Sequence, residues 1–199
     1  KKAQEKGIDL IITDHHLPLA NLPQAIAVVD AKRKDSRYPY LNLAGVGVAF
    51  KLLQALLHQH GKEEFLTKVL DLVALGTVTD MVPVTGENRY LVRAGLTALN
   101  NTHRVGIKEV VRLAGLKLGG LDAGHISWVL GPRLNAAGRI DNASTGYRLL
   151  TTDSPEEARL LAVELEEKNA ERQKLTSEVL NKVKEKLANK MHLPLLIAG

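Results

Sequence analysis

The sequence contains no cysteine. That excludes a disulfide framework, a thiolate zinc site, an iron–sulfur cluster and a cysteine nucleophile. Aromatic residues make up only 4% of the chain, which supplies a base-stacking platform of the usual kind poorly. No apolar run reaches the roughly 18 residues of a membrane span. The chain does not open on a basic segment followed by an apolar one, so no secretory signal is read there. The expected class is a soluble, intracellular, cytoplasmic protein with no membrane role. What is present fits a folded domain: 199 residues, 45% of them apolar and 25% charged. That length suits one ordinary domain, or one and a fraction.

Charge is uneven along the chain. The formal net charge is +5. Residues 151–199 hold 8 basic and 9 acidic side chains, which leaves 19 basic and 13 acidic in residues 1–150. The basic excess therefore belongs to the first three-quarters. Such an excess favours an anionic partner such as nucleic acid, and it also serves solubility.

Two short continuous apolar runs, residues 8–13 (IDLIIT) and 25–29 (AIAVV), read as strands buried on both faces of a parallel sheet. Residues 193–198 (LPLLIA) read as a third. Helical spacing marks residues 45–58, 65–75 with a stop at Gly76, 86–99, 107–114, 125–130 with a stop at Gly131 and Pro132, and 144–150. The clearest helix follows Ser154, an N-cap with Pro155 at the first helical position and Glu157 completing a capping box. Its apolar seam runs through Leu161, Leu165, Leu175, Val179, Val183 and Leu187, broken at Lys168 and Arg172. A helix that long with so thin a seam reads as a bridge between domains. The expected fold is α/β: a helix-rich domain with a short parallel sheet over residues 1–150, a connecting helix over 151–191, and the first strand of a further domain at 192–199.

Three clusters carry chemistry. Asp14, His15 and His16 directly follow the first apolar run, and parallel sheets bind ligands at the carboxyl ends of their strands. One carboxylate with two imidazoles suits Mn2+, Zn2+ or Fe2+; a polar loop with two solvent-exposed histidines is the other reading. Asp80 stands alone in GTVTDMVP, where a carboxylate needs a metal or an arginine as partner. Residues 131–139 (GPRLNAAGR) read as a tight loop offering backbone amides and two guanidinium forks, which hold phosphate oxygens bidentately; a structural turn with surface arginines is the alternative. His58 and His60 read as surface residues, and His103, His125 and His192 are isolated. Trp128, the sole tryptophan, reads as core.

Together and in this order, LIITDHH, ALGTVTDMVPVTGENRYLVRAGL and GPRLNAAGR resemble the DHH phosphoesterase superfamily and, within it, the RecJ exonuclease family. The resemblance covers nearly the whole chain. It implies a two-lobed, monomeric enzyme that removes nucleotides from the 5′ end of single-stranded DNA in repair and recombination. The implied cofactor is Mn2+ or Mg2+, and the implied partners are single-stranded DNA, a single-strand-binding protein and a helicase. By the same resemblance His15 ligates metal, and His16 lies beside the scissile phosphate and assists its transfer. Asp14 orients the pair or touches the metal, and Asp80 is a further ligand. Arg133, Asn135 and Arg139 hold the DNA backbone. Residues 1–150 then correspond to the C-terminal part of the phosphoesterase domain, and 192–199 to the start of its associated domain. The family's site also has aspartate motifs upstream of DHH that this sequence does not contain. The chain is therefore expected to be the middle of a longer protein and nearly inactive alone. Two other readings stay within the superfamily: a phosphodiesterase for short oligonucleotides or cyclic dinucleotides, and a non-catalytic replication scaffold. The GPRLNAAGR wording favours DNA, and joint retention of Asp14, His15, His16 and Asp80 favours catalysis.

Overall fold

Helices dominate the computed structural model, which describes residues 2–19, 21–140 and 143–187. The chain order is α1 (Lys2–Glu5), β1 (Ile11–Thr13), β2 (Ala27–Val29), α2 (Gly45–Gln59), a 3-10 helix (Glu63–Val69), α3 (Leu70–Thr79), α4 (Gly86–Asn100), α5 (Val105–Leu113), α6 (Ala123–His125), a π-helical turn (Ile126–Leu130), α7 (Gly131–Ile140), α8 (Ser144–Thr151) and α9 (Pro155–Leu187). The chain divides into two compact units, Lys1–Thr102 with Lys117–Trp128, and His103–Leu116 with Val129–Gly199.

The first unit holds the sheet. β1 and β2 pair in parallel with Ile11 opposite Ala27, Ile12 opposite Val28 and Thr13 opposite Val29. The ladder reaches one residue further, because Asp14 N donates to Val29 O at 3.0 Å. The first polar residue after β1 is thus still fixed by strand geometry. Burial on both faces, expected for residues 8–13, is not what this sheet provides. Among the described residues each strand has one neighbour, and Ile8, Leu10, Ile11 and Ile26 are exposed. The core lies instead among the helices, where Leu43, Val48, Phe50, Val73 and Leu91 cluster with Val29, Tyr38 and Val46 against them. The third expected strand, at 193–198, lies outside the described residues.

The helix expected over 65–75 begins as a 3-10 helix and then continues past Gly76 to Thr79. Gly76 is no stop signal. A Cβ there would lie 2.7 Å from Val46 Cγ1, so the missing side chain is what lets α2 and α3 approach.

The second unit packs α5, α7 and α8 on the first half of α9. The apolar stripe of α9, Ala158, Leu161, Ala162 and Leu165, is buried and ends on a buried polar residue, Asn169. Beyond Arg172 the seam is uncovered, with Leu175, Val179 and Leu180 exposed. Ser154 caps α9 as expected: its Oγ accepts from Glu157 N at 3.3 Å. The Glu157 carboxylate, however, does not return to Ser154 N. It accepts from Thr152 Oγ1 at 2.6 Å and from Arg148 Nη2 at 2.6 Å. Those two bonds, Thr152 first, hold its carboxyl below the ordinary glutamate value. This contribution is present at neutral pH and fades as the pH falls below about 4.5. Replacing Ser154 by Ala is expected to destabilise the chain by about 1 kcal/mol in urea unfolding; an unchanged midpoint would remove the cap from the account.

Residues 131–139 are helical rather than a loop. Pro132 has no N–H, and its ring crowds the carbonyl four residues back. The π-helical turn at Ile126–Leu130 comes immediately before it and widens the ladder where the ring must fit. The same turn corrects the reading of Trp128. Ile126 and Leu130 are buried at 0% and 1% exposure, while Trp128 between them is 82% exposed.

Candidate metal centre

Asp14 leaves β1 with its backbone tied to β2, and its side chain organises the two residues that follow. His15 N donates to Asp14 Oδ1 at 2.7 Å, His16 N donates to the same oxygen at 3.1 Å, and His16 Nδ1 meets it at 2.7 Å. These bonds, the one from the His16 ring first, hold the Asp14 carboxyl down at about 2. Asp14 is therefore a carboxylate at any ordinary pH. All three bonds fall on Oδ1, which leaves Oδ2 available as a ligand oxygen. With Nδ1 donating to Asp14, His16 keeps Nε2 as its other nitrogen, on a side chain that is 76% exposed.

His15 faces a different partner. Its Nδ1 lies 3.3 Å from Asp80 Oδ2. The two imidazoles sit with ring centroids 4.2 Å apart and planes tilted by 47°. Asp80 is the C-cap of α3, and Met81 after it adopts a left-handed φ of 59°. That conformation ends the helix directly after the carboxylate, at some strain for a residue with a side chain. A carboxylate at a helix C-terminus sits at the negative end of the macrodipole, which disfavours it unless a cation is near.

The donor set fits a divalent metal. One donor atom from each of Asp14, His15 and His16 can be chosen so that all lie within 4.8 Å of one another. Asp80 joins this group through His15. Carboxylate oxygens and imidazole nitrogens are the ligands that Mn2+ and similar ions take.

The arginines of residues 131–139 belong to the second unit. Arg133 is already engaged: Nε and Nη2 donate to the Glu166 carboxylate at 2.5 and 3.1 Å, and Nη1 donates to Val129 O at 3.0 Å. Asn135 is exposed on α7, and Arg139 lies in the same helix. Of the remaining histidines, His58 pairs with Glu63, and His125 closes a capping box with Asp122.

Two residues passed over in the sequence border this centre. Gly45 opens α2, and a Cβ there would lie 3.1 Å from His15 Cδ2. Asn88 is fully buried in α4 and donates to two loop carbonyls. The sequence does hold a signal for Asn88. It occupies the apolar face of its helix, in register with Leu91, Val92, Gly95 and Leu99.

Over residues 1–77 the sequence matches the N-terminal domain of the DHH family. The chain is similar to the single-stranded-DNA-specific exonuclease RecJ of Bacillus subtilis, 44% identical over 90% of this chain and 22% of that protein. It is 42% identical to RecJ of Escherichia coli over 87% of this chain and 32% of that protein. The chain thus spans between about a fifth and a third of the length of these two relatives. Among solved structures it is similar to exonuclease RecJ bound to manganese, with a TM-score of 0.81 and 34% identity over 93% of this chain and 46% of that one. It is similar also to RecJ of Thermus thermophilus in complex with Mn2+, with a TM-score of 0.78 and 35% identity over 90% of this chain and 26% of that one. A helix-rich fold with a short parallel sheet, a clustered Asp-His-His centre and these likenesses agree: residues 1–77 match the DHH family's N-terminal domain, and about 90% of the chain is similar to part of RecJ.

Proposed function

We propose that this chain is part of a 5′→3′ exonuclease specific for single-stranded DNA, acting in DNA repair and recombination by metal-dependent phosphodiester hydrolysis. The observation that carries this reading is the Asp14, His15, His16 and Asp80 constellation at the carboxyl end of β1. The relatives named as single-stranded-DNA-specific exonucleases, 36–44% identical, support the exonuclease reading. A bound Mn2+ or Mg2+ supplies charge neutralisation at the phosphate and activation of water. Within the chain, Asp14 offers Oδ2, His15 a ring nitrogen and Asp80 its carboxylate to that ion. His16, oriented by Asp14, is placed to hold or release a proton beside the phosphate through Nε2. Arg133, Asn135 and Arg139 take the DNA backbone. Single-strand-binding protein and a helicase are the further partners of this reading, the enzyme is monomeric, and its place is the cytoplasm. Three protein ligands make a small set for two-metal hydrolysis. The chain alone is therefore expected to turn over little.

The intact protein, assayed on long single-stranded DNA and on dinucleotides with Mn2+, separates this reading from the short-oligonucleotide one. Preferred release of nucleotides from the long substrate supports the exonuclease; preference for dinucleotides rejects it. The phosphate grip has its own test. Glu166 holds the Nε–Nη2 edge of the Arg133 guanidinium, so a phosphate competes with that carboxylate for this edge. Arg133→Ala is expected to weaken DNA binding and to lower the slope of log K against log salt by about 1. An unchanged slope would take Arg133 out of the grip.

A further inference from the structure

We infer that Asn88 is a positioning residue that fixes the spacing of His15 and Asp80. Its Nδ2 donates to Asn42 O at 2.6 Å and to Pro83 O at 3.0 Å. These carbonyls lie on the two loops that border the candidate metal centre. The first runs from Asn42 to Gly45, whose backbone abuts the His15 ring. The second runs from Asp80 to Pro83 and starts on the carboxylate that meets His15 Nδ1 at 3.3 Å. One side-chain amide therefore ties the backbone beside His15 to the backbone that carries its partner. Two acceptors need a group with two donors, which an NH2 is and a carboxylate or an alkyl side chain is not.

Two further observations agree. Asn88 is 0% exposed, yet its Oδ1 has no hydrogen-bond partner. A buried acceptor left unsatisfied is costly, so the residue serves by its donors and not as filler. Met81 holds a left-handed φ between Asp80 and Pro83, a conformation that persists only where the surroundings over-determine it. The bond to Pro83 O supplies that restraint. Tyr40 acts alongside: its hydroxyl donates to Thr85 O at 2.7 Å, which binds the approach to α2 to the end of the same loop.

This inference rests on reading Asp14, His15, His16 and Asp80 as a metal centre, and its test keeps the two apart. Mn2+ is titrated into the full chain by electron paramagnetic resonance, and the His15 ring 15N shifts are recorded without metal. The variants are Asn88→Ala, Tyr40→Phe and Leu99→Ala. Leu99 is equally buried, near the far end of α4. Asn88→Ala is expected to raise the Mn2+ Kd about tenfold or more and Tyr40→Phe several-fold, and both to move the His15 shifts. Leu99→Ala is expected to lower the Tm and leave both readouts alone. Wild-type Kd and shifts in folded Asn88→Ala would overturn the inference, as would an equal loss in Leu99→Ala. If Asn88→Ala does not fold, the same outcome in Tyr40→Phe overturns it. A wild-type chain that takes up no Mn2+ rejects the metal reading instead, and the metal-free His15 shifts then decide the role of Asn88.

Discussion

Alanine in place of Asp80 in the intact protein is expected to lower kcat on single-stranded DNA at least about 100-fold, with no loss of stability. Losing a residue that merely supports a ligand costs about 10–100-fold, so losing a ligand costs no less. The stability half of the expectation comes from where the carboxylate sits. It caps the C-terminus of α3, at the negative end of that helix. Removing it relieves an unfavourable interaction of about 0.3–1 kcal/mol, which offsets the lost contact with His15. The contact at 3.3 Å joins two side chains that are 17% and 34% exposed, so it contributes little by itself. Activity and folding thus part company at this residue. Turnover of labelled single-stranded DNA and a calorimetric Tm check both halves. Activity retained within about threefold would remove Asp80 from the metal centre.

The second large effect concerns folding alone. Gly106→Ala is expected to destabilise the second unit by about 3 kcal/mol or more, and to unfold it if its margin is ordinary. A Cβ on Gly106 would lie 1.8 Å from Leu149 O and 2.8 Å from Leu149 C. Those atoms are backbone, so no rotamer change relieves the overlap. α5 must lift from α8, and that lift uncovers Ile107, Val110, Val111 and Leu149, all buried. Urea unfolding of the full chain measures it. A midpoint like that of the native chain would mean that the two helices separate without cost.

What the sequence made legible follows from what its signals measure. Helical period and caps located α2, α4, α5, α8 and α9 to within a few residues, because each shows one apolar face and a polar remainder. The Asp14–His15–His16 cluster was legible for a similarly local reason: three adjacent residues after a strand need little tertiary context to converge. The departures share a cause. Gly76, Gly131 and Pro132 read as punctuation along the sequence, but Gly76 serves a close helix approach and Pro132 fits into a helix behind a π-helical turn. Trp128, the sole tryptophan, reads as core in the sequence, yet that turn places it outside. The His15–Asp80 contact and the Asn88 clamp join residues dozens of positions apart. Pattern reading along the chain has no access to either.

The central claim is that Asp14, His15 and Asp80 hold a divalent cation beside His16. Titration of Mn2+ followed by electron paramagnetic resonance tests it most directly. The native chain is expected to quench the aqueous Mn2+ signal saturably, and the His15→Ala, Asp80→Ala double variant is expected to leave it intact while remaining folded. Superimposable titrations of the two folded proteins would contradict the account.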